Sequence, residues 1–368
     1  MDNFCFNTIN ALKKGRNALE TNVWDVRKYV HNLQSYPQID EIIAGYHQNK
    51  LIALPTETVY GLGASAKDEE AVKEIYVAKG RPSDNPLIVH IHDKSQLNDF
   101  TQNISKETEI LMDAFWPGPI SFIVPYKSGI LSDRVTGGLQ SVAVRMPSHH
   151  VGRAVLQLTN LPIAAPSANI SGRPSPTKFE HVKHDLDGRI YGIIQAEDID
   201  EGIESTVIDC TSYPFKIARP GSITIEMINK VLPNSIINEK LDLEKPIAPG
   251  MKYKHYAPSQ PVTLIEGGIT KQMGLSDDIS KKIAVIGPKS IEPLISEQMT
   301  FIPLGRDVSD IKGAHHDLYD ALRIADQLTN IDEIYISGYE RNDDTIALMN
   351  RIDKASGHNI KGEDELWK

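Results

Sequence analysis

The stretch VLPNSIINEKLDLEKPIAPGMKYKHYAPSQP, residues 231–261, most constrains how this chain folds. It carries prolines at 233, 246, 249, 258 and 261 and has little apolar periodicity. Proline lacks the backbone donor that helix interiors and inner strands need, so the stretch breaks regular structure. It reads as an extended, semi-rigid linker between two folded units, and a connection of this length is often functional. The 368-residue length agrees, since domains commonly run to about 150 residues. Four segments follow: an N-terminal extension over 1–36, a first domain over 37–225, a linker over 226–259 and a second domain over 260–368.

Before the break, Ile39, Ile42, Ile43 and Tyr46 fall on one helical stripe, and LIAL at 51–54 is a strand stopped by Pro55. Asp68 can cap a helix that carries Ala71, Val72, Ile75 and Tyr76 on one face and ends at Gly80. Ser105 starts a further helix through Phe115. Stretches at 86–91, 120–125, 142–147, 161–166, 205–210 and 215–220 are strand-like. This mixture predicts an α/β domain on a large, twisted, mixed sheet. Beyond the break, strands at 262–266, 282–287, 300–305 and 333–338 accompany helices over 314–328 and near 345–356. That alternation predicts a small Rossmann-like open sheet. No G-x-G-x-x-G follows its first strand, so nothing there argues for a dinucleotide.

Net charge is 39 − 49 = −10. Binding to nucleic acid needs basic surface to displace counterions, so direct RNA binding is expected to be weak or absent. A local basic pocket for a small anion remains compatible with that balance. Cys5 and Cys210 stand far apart, offer neither a disulfide framework nor a thiolate zinc site, and suit a reducing cytoplasm. No apolar run approaches the ~18 residues of a membrane span, so no membrane partner is expected. Lys13, Lys14 and Arg16 follow the apolar residues of the N-terminus instead of preceding them, unlike a signal peptide.

Walker, zinc-protease and nucleophile-elbow motifs are absent. What remains is a set of polar strand and helix ends. PTETVYGLG at 55–63 supplies Thr56, Glu57 and Thr58, and by itself equally fits a tight turn. KGRP at 79–82 sets two cations past a helix end, where they also suit the helix dipole. His90 and His92 alternate along a strand and could begin a metal site, but no third ligand lies nearby in sequence. Ser141 and Arg145 share one strand face. The loop PSANISGRPSPT at 166–177 offers hydroxyls and N–H groups, or is a long turn. Together, Lys79, Arg81, Arg145 and Arg219 interleave with hydroxyls in an acidic protein, which suits a polyphosphate pocket built without a Walker loop.

In this order, PTETVYGLG, KGRPSDNPLIVHI, WPGPISFIV, VAVRMP, PSANISGRPSPT, ESTVID and ARPG resemble the YrdC-type threonylcarbamoyl-adenylate synthases. APGMKYKHYAP at 248–258 and the appended domain resemble the two-domain branch of that family, over roughly residues 37–368. The resemblance implies a nucleotidyltransferase that condenses L-threonine, bicarbonate or CO2, and ATP with its Mg2+ into threonylcarbamoyl-AMP and pyrophosphate. No other cofactor and no protein-bound metal are implied. Downstream threonylcarbamoyl-transferase machinery would place the group on tRNA. Thr56, His90, Arg145, Ala165 through its backbone, and Ser205 match threonine-binding positions. Lys79, Ser83, Ser141, Ser167, Ser175 and Arg219 match ATP-binding ones, and Arg81 and Asn169 are added from the same motifs. Lys79 and Arg81 are the expected catalytic cations, and Tyr256 resembles a tyrosine covering the nucleotide. Competing readings are an RNA-binding module, disfavoured by the charge, and a carbamoyl transferase, whose zinc-finger-like cysteine clusters are not visible here.

Overall fold

The computed structural model describes residues 20–197, 199–237, 256–273 and 281–365. Its strands in chain order are β1 Asn22–Asp25, β2 Ile52–Leu54, β3 Gly61–Ser65, β4 Ile88–His90, β5 Ile120–Pro125, β6 Ser141–Arg145, β7 Ile163–Ala164, β8 Gly192–Gln195, β9 Thr206–Asp209 and β10 Lys216–Arg219. These ten form one sheet in the order β1-β8-β2-β3-β7-β4-β6-β5-β9-β10. The sheet is mixed: β1, β2 and β8, β4 and β6, and β5 and β9 pair in parallel, while β2–β3 and β5–β6 are antiparallel.

The helices that bear on the site are α1 Ile39–His47, α2 Glu69–Lys79, α3 Lys106–Phe115, α4 His150–Thr159, α5 Phe179–Leu186 and α6 Ile225–Val231. Local chemistry sets their ends as expected. Asp68 accepts the Ala71 N–H at 2.7 Å, Gly80 closes α2 at φ 62°, and Ser105 accepts the Thr108 N–H at 3.2 Å. Val89 and Val144 join the main apolar core, so His90 and Arg145, one residue on, emerge from the opposite face.

Two segment boundaries need correction. Residues 22–36 are not an extension: β1 joins the sheet through β8, and Trp24 is 1% exposed. Only Trp24 of its four residues is buried, so β1 carries little of the pattern that betrays a strand. The linker also begins later than 226. Thr224 caps α6 at 3.2 Å from Met227 N, and Ile237 N donates to Phe215 O at 2.9 Å. Residues 238–255, the centre of the expected linker, lie outside the described residues.

The second sheet consists of β11 Val262–Glu266, β12 Ile283–Gly287, β13 Thr300–Pro303, β14 Glu333–Ser337 and β15 Ile360–Gly362, all parallel, in the order β13-β12-β14-β11-β15. Its helices α7 Ile311–Gln327 and α8 Ile346–Ser356 also meet the first domain. Asp320 takes Lys178 at 2.7 Å and His181 at 3.0 Å, and Arg323 grips Asp185 at 2.9 Å. Gly202, at φ 76°, lies so close that a Cβ there would fall 2.3 Å from His316 Cα. Among the described residues, no helix is long and apolar enough to cross a membrane.

Candidate active site

The registers of three strands lay down the floor of a cleft. His90 is level with Arg145 across β4–β6, and Arg145 is level with Ser121 across β5–β6. Ser121 Oγ sits 2.9 Å from Ser205 Oγ, just ahead of β9. The turn after β2 supplies one end wall. Thr56 Oγ1 donates to Val59 O at 2.7 Å and lies 2.9 Å from Thr58 Oγ1, while Arg145 Nη1 donates to Thr58 Oγ1 at 2.8 Å. The Ala165 N–H is engaged by Ile88 O at 3.0 Å, so a ligand there would meet its carbonyl or methyl group.

A β-bulge positions the opposite wall. Ile217 pairs with Ile208 but Arg219 pairs with Val207, so Arg219 faces away from Ile217 although the two differ by two residues. Its guanidinium holds Ser205 O at 2.9 and 3.1 Å and Ser205 Oγ at 3.1 Å. Ser167, Asn169 and Ser175 line the cleft from the long polar loop, with Arg81 and Tyr256 closing it. Tyr256 is buried, its ring 5.1 Å from that of Tyr319, and Ala257 N donates to Gly172 O at 3.0 Å.

Among the described residues, four arginines and one glutamate line this cleft: Arg81, Arg145, Arg173, Arg219 and Glu204. That balance favours anionic ligands. Arg145 Nη2 pairs with the Glu57 carboxylate at 2.8 Å, and among the described residues Arg145 Nε has no acceptor. Arg81 Nε is likewise unsatisfied. Buried donors of this kind are costly unless a ligand takes them up. Burial raises the Glu57 carboxyl, yet Arg145 outweighs it and leaves the pKa below its ordinary value.

Burial, reinforced by Arg145, lowers the His90 pKa to about 3. The ring is therefore neutral near pH 7. Protons taken up by the unfolded chain below its pKa of about 6.5 are refused by the folded one. Stability should thus fall as pH drops from there towards 3, and His90→Gln should flatten that decline in acid titrations of unfolding.

Lys79 is not on the cleft wall. Its fully buried ammonium donates to the Ser167 carbonyl and, at 2.6 Å, to Asn169 O. Burial, followed by the Arg81 charge, holds its pKa well below that of ordinary lysine. The fourth wall cation is Arg173, which sequence reasoning did not single out. Ser83 is exposed on the turn after α2 and Ser141 is half-buried at the start of β6; neither lines the cleft. His92 pairs with Asn160 Oδ1 at 2.9 Å, away from His90's role. Among the described residues, no group of three or more His, Cys, Asp or Glu could hold a metal ion.

Fold and site together define an α/β nucleotidyltransferase-type enzyme: an arginine- and hydroxyl-lined cleft on a mixed sheet, with a second parallel domain behind it. Residues 46–221 match the Sua5/YciO/YrdC family model described as telomere recombination. Residues 223–357 match that of the threonylcarbamoyl-AMP synthase C-terminal domain. The threonylcarbamoyl-AMP synthase of Bacillus subtilis is 44% identical over 88% of this chain and 94% of its own. That of Schizosaccharomyces pombe is 36% identical over 84% and 86%. The crystal structure of Pyrococcus abyssi Sua5 complexed with L-threonine aligns with a TM-score of 0.81 at 40% identity, covering 93% of this chain and 99% of that one. The chain belongs to the threonylcarbamoyl-AMP synthase family, in its two-domain form.

Proposed function

We propose that the enzyme makes L-threonylcarbamoyladenylate and pyrophosphate from L-threonine, CO2 or bicarbonate, and ATP. The observation that carries this reading is the cleft's two ends. At one, Arg145 offers its unsatisfied Nε beside His90 and Thr56, and Ser205 links this end to Arg219. At the other, Arg81 and Arg219 stand with the hydroxyls of Ser167 and Ser175. The first suits an amino-acid carboxylate, which a guanidinium binds through paired donors, and the second a polyphosphate. The relative crystallised with L-threonine supports the first assignment.

Threonine's neutral amine adds to CO2 and sheds a proton, giving a carbamate. A carbamate oxygen attacks the α-phosphorus of ATP and pyrophosphate leaves, so no protein nucleophile is required. Arg81 and Arg219 stabilise charge on the phosphoryl oxygens, with Asn169 and Ser175 holding the loop around them. Mg2+ would arrive on ATP as part of that substrate, since the cleft carboxylate Glu204 and the neighbouring Glu57 are already paired with Arg351 and Arg145. Tyr256 covers the cleft and limits hydrolysis of the reactive adenylate. The product would pass to a threonylcarbamoyl-transferase system acting on tRNA in the cytoplasm. Pyrophosphate release should require both threonine and bicarbonate. Release from ATP alone at the same rate would sink the assignment, and tight, salt-sensitive tRNA binding would favour an RNA-binding module instead.

A further inference from the structure

Glu204 is an anomaly for a polyphosphate site: a buried carboxylate on the wall of the cleft. Its partners explain how it is tolerated. Ser175 Oγ donates to Oε1 at 2.5 Å, while Oε2 takes Tyr319 OH at 2.7 Å and Arg351 Nε at 3.1 Å. Arg351 Nη2 also donates to the Glu204 backbone carbonyl at 3.3 Å. Tyr319 and Arg351 come from α7 and α8 of the second domain, and Arg351 is fully buried. Burial pushes the Glu204 carboxyl up, but Arg351 and then Arg219 bring it down to about 2, so it remains ionised.

We propose that Arg351 is a positioning residue for the ATP half of the cleft: it neutralises Glu204 and aims that carboxylate at Ser175, so the second domain completes the phosphate wall of the first. The proposal rests on the ATP-dependent reading given above. Arg219 cannot simply replace Arg351, because its guanidinium already braces Ser205. Losing Arg351 would leave a buried negative charge facing the incoming phosphates, and Ser175 would lose the fixed carboxylate to which it donates. Arg323 acts on the same loop from α7, donating to Pro174 O at 2.6 Å while it holds Asp185. It touches no group on Glu204, so it separates domain docking from charge compensation.

The test uses the full chain as wild type, Arg351→Met, Glu204→Gln and the double variant, with Michaelis constants for ATP and threonine and thermal unfolding. Arg351→Met should raise KM for ATP about tenfold or more and leave KM for threonine within about threefold. Adding Glu204→Gln should return KM for ATP to within about threefold of wild type, because the orphaned charge is gone while the glutamine oxygen still accepts from Ser175. A double variant as impaired as Arg351→Met, or a parallel rise in both constants, would overturn the proposal. If Arg351→Met does not fold, the neutral double variant decides alone: near-wild-type ATP affinity supports the proposal and a tenfold loss overturns it. Failure of the wild type to release pyrophosphate in a threonine-dependent way is a different outcome, which removes the underlying reaction assignment whatever the variants do.

Discussion

Replacing Arg145 by alanine is expected to weaken threonine binding by ~10²- to 10³-fold, the scale of removing one partner from a buried ion pair. Arg145 is 4% exposed and stands level with His90 and Ser121 on the cleft floor. It already gives Nη1 to Thr58 and Nη2 to Glu57, each at 2.8 Å, while among the described residues Nε has no acceptor. An amino-acid carboxylate can take Nε and the guanidinium charge beside it. The substitution also strands Glu57, so stability will fall with affinity. Arg145→Ala/Glu57→Gln separates the two effects: stability should recover and threonine binding should not. Calorimetric titration with threonine is the measurement, and an affinity within about threefold of wild type would rule out the carboxylate role.

Lys79→Met should lower kcat/KM for ATP by ~10²-fold, although Lys79 does not line the cleft. Its ammonium ties together the carbonyls of Ser167 and Asn169, and Ser171 N returns to Lys79 O at 2.8 Å. Removing it leaves two buried carbonyls unpaired, at ~1–3 kcal/mol each, and frees the loop that presents Ser167 and Ser175. Lys79→Arg should not rescue the activity, since a planar guanidinium fork cannot occupy a site shaped for a compact ammonium. If Lys79→Met kept wild-type kinetics with ATP, the loop would not depend on this anchor.

Much of the fold was legible because it is written in short-range patterns. Asp68 and Gly80 mark both ends of α2 through cap chemistry that involves only neighbouring residues. Alternation in β4 and β6 announces which side of each strand faces the core. The strand β3 escaped notice: GLGAS has no β-branched or aromatic residue, and it is a strand because β2 and β7 flank it. Gly63 within it approaches Leu54 and Tyr46 so closely that a Cβ would lie 2.9 Å from each. The glycines of PTETVYGLG thus permit close packing, while Thr56 Oγ1 caps the bend ahead of them by accepting from Thr58 N and Val59 N.

The sequence by itself determined the two-domain division, the α/β class and the chemical character of the site, because proline breaks, caps, apolar periods and clustered arginines and hydroxyls act locally. Only the tertiary structure decided which cations face the cleft. Lys79 turns towards the backbone of a loop 88 and 90 residues away. Arg219 is aimed by a bulge that exists only against β9. Arg173 lines the cleft where Lys79 does not, and Arg351 reaches Glu204 across 147 residues. Register, bulges and domain docking arise from contacts between distant segments, and no local period encodes them.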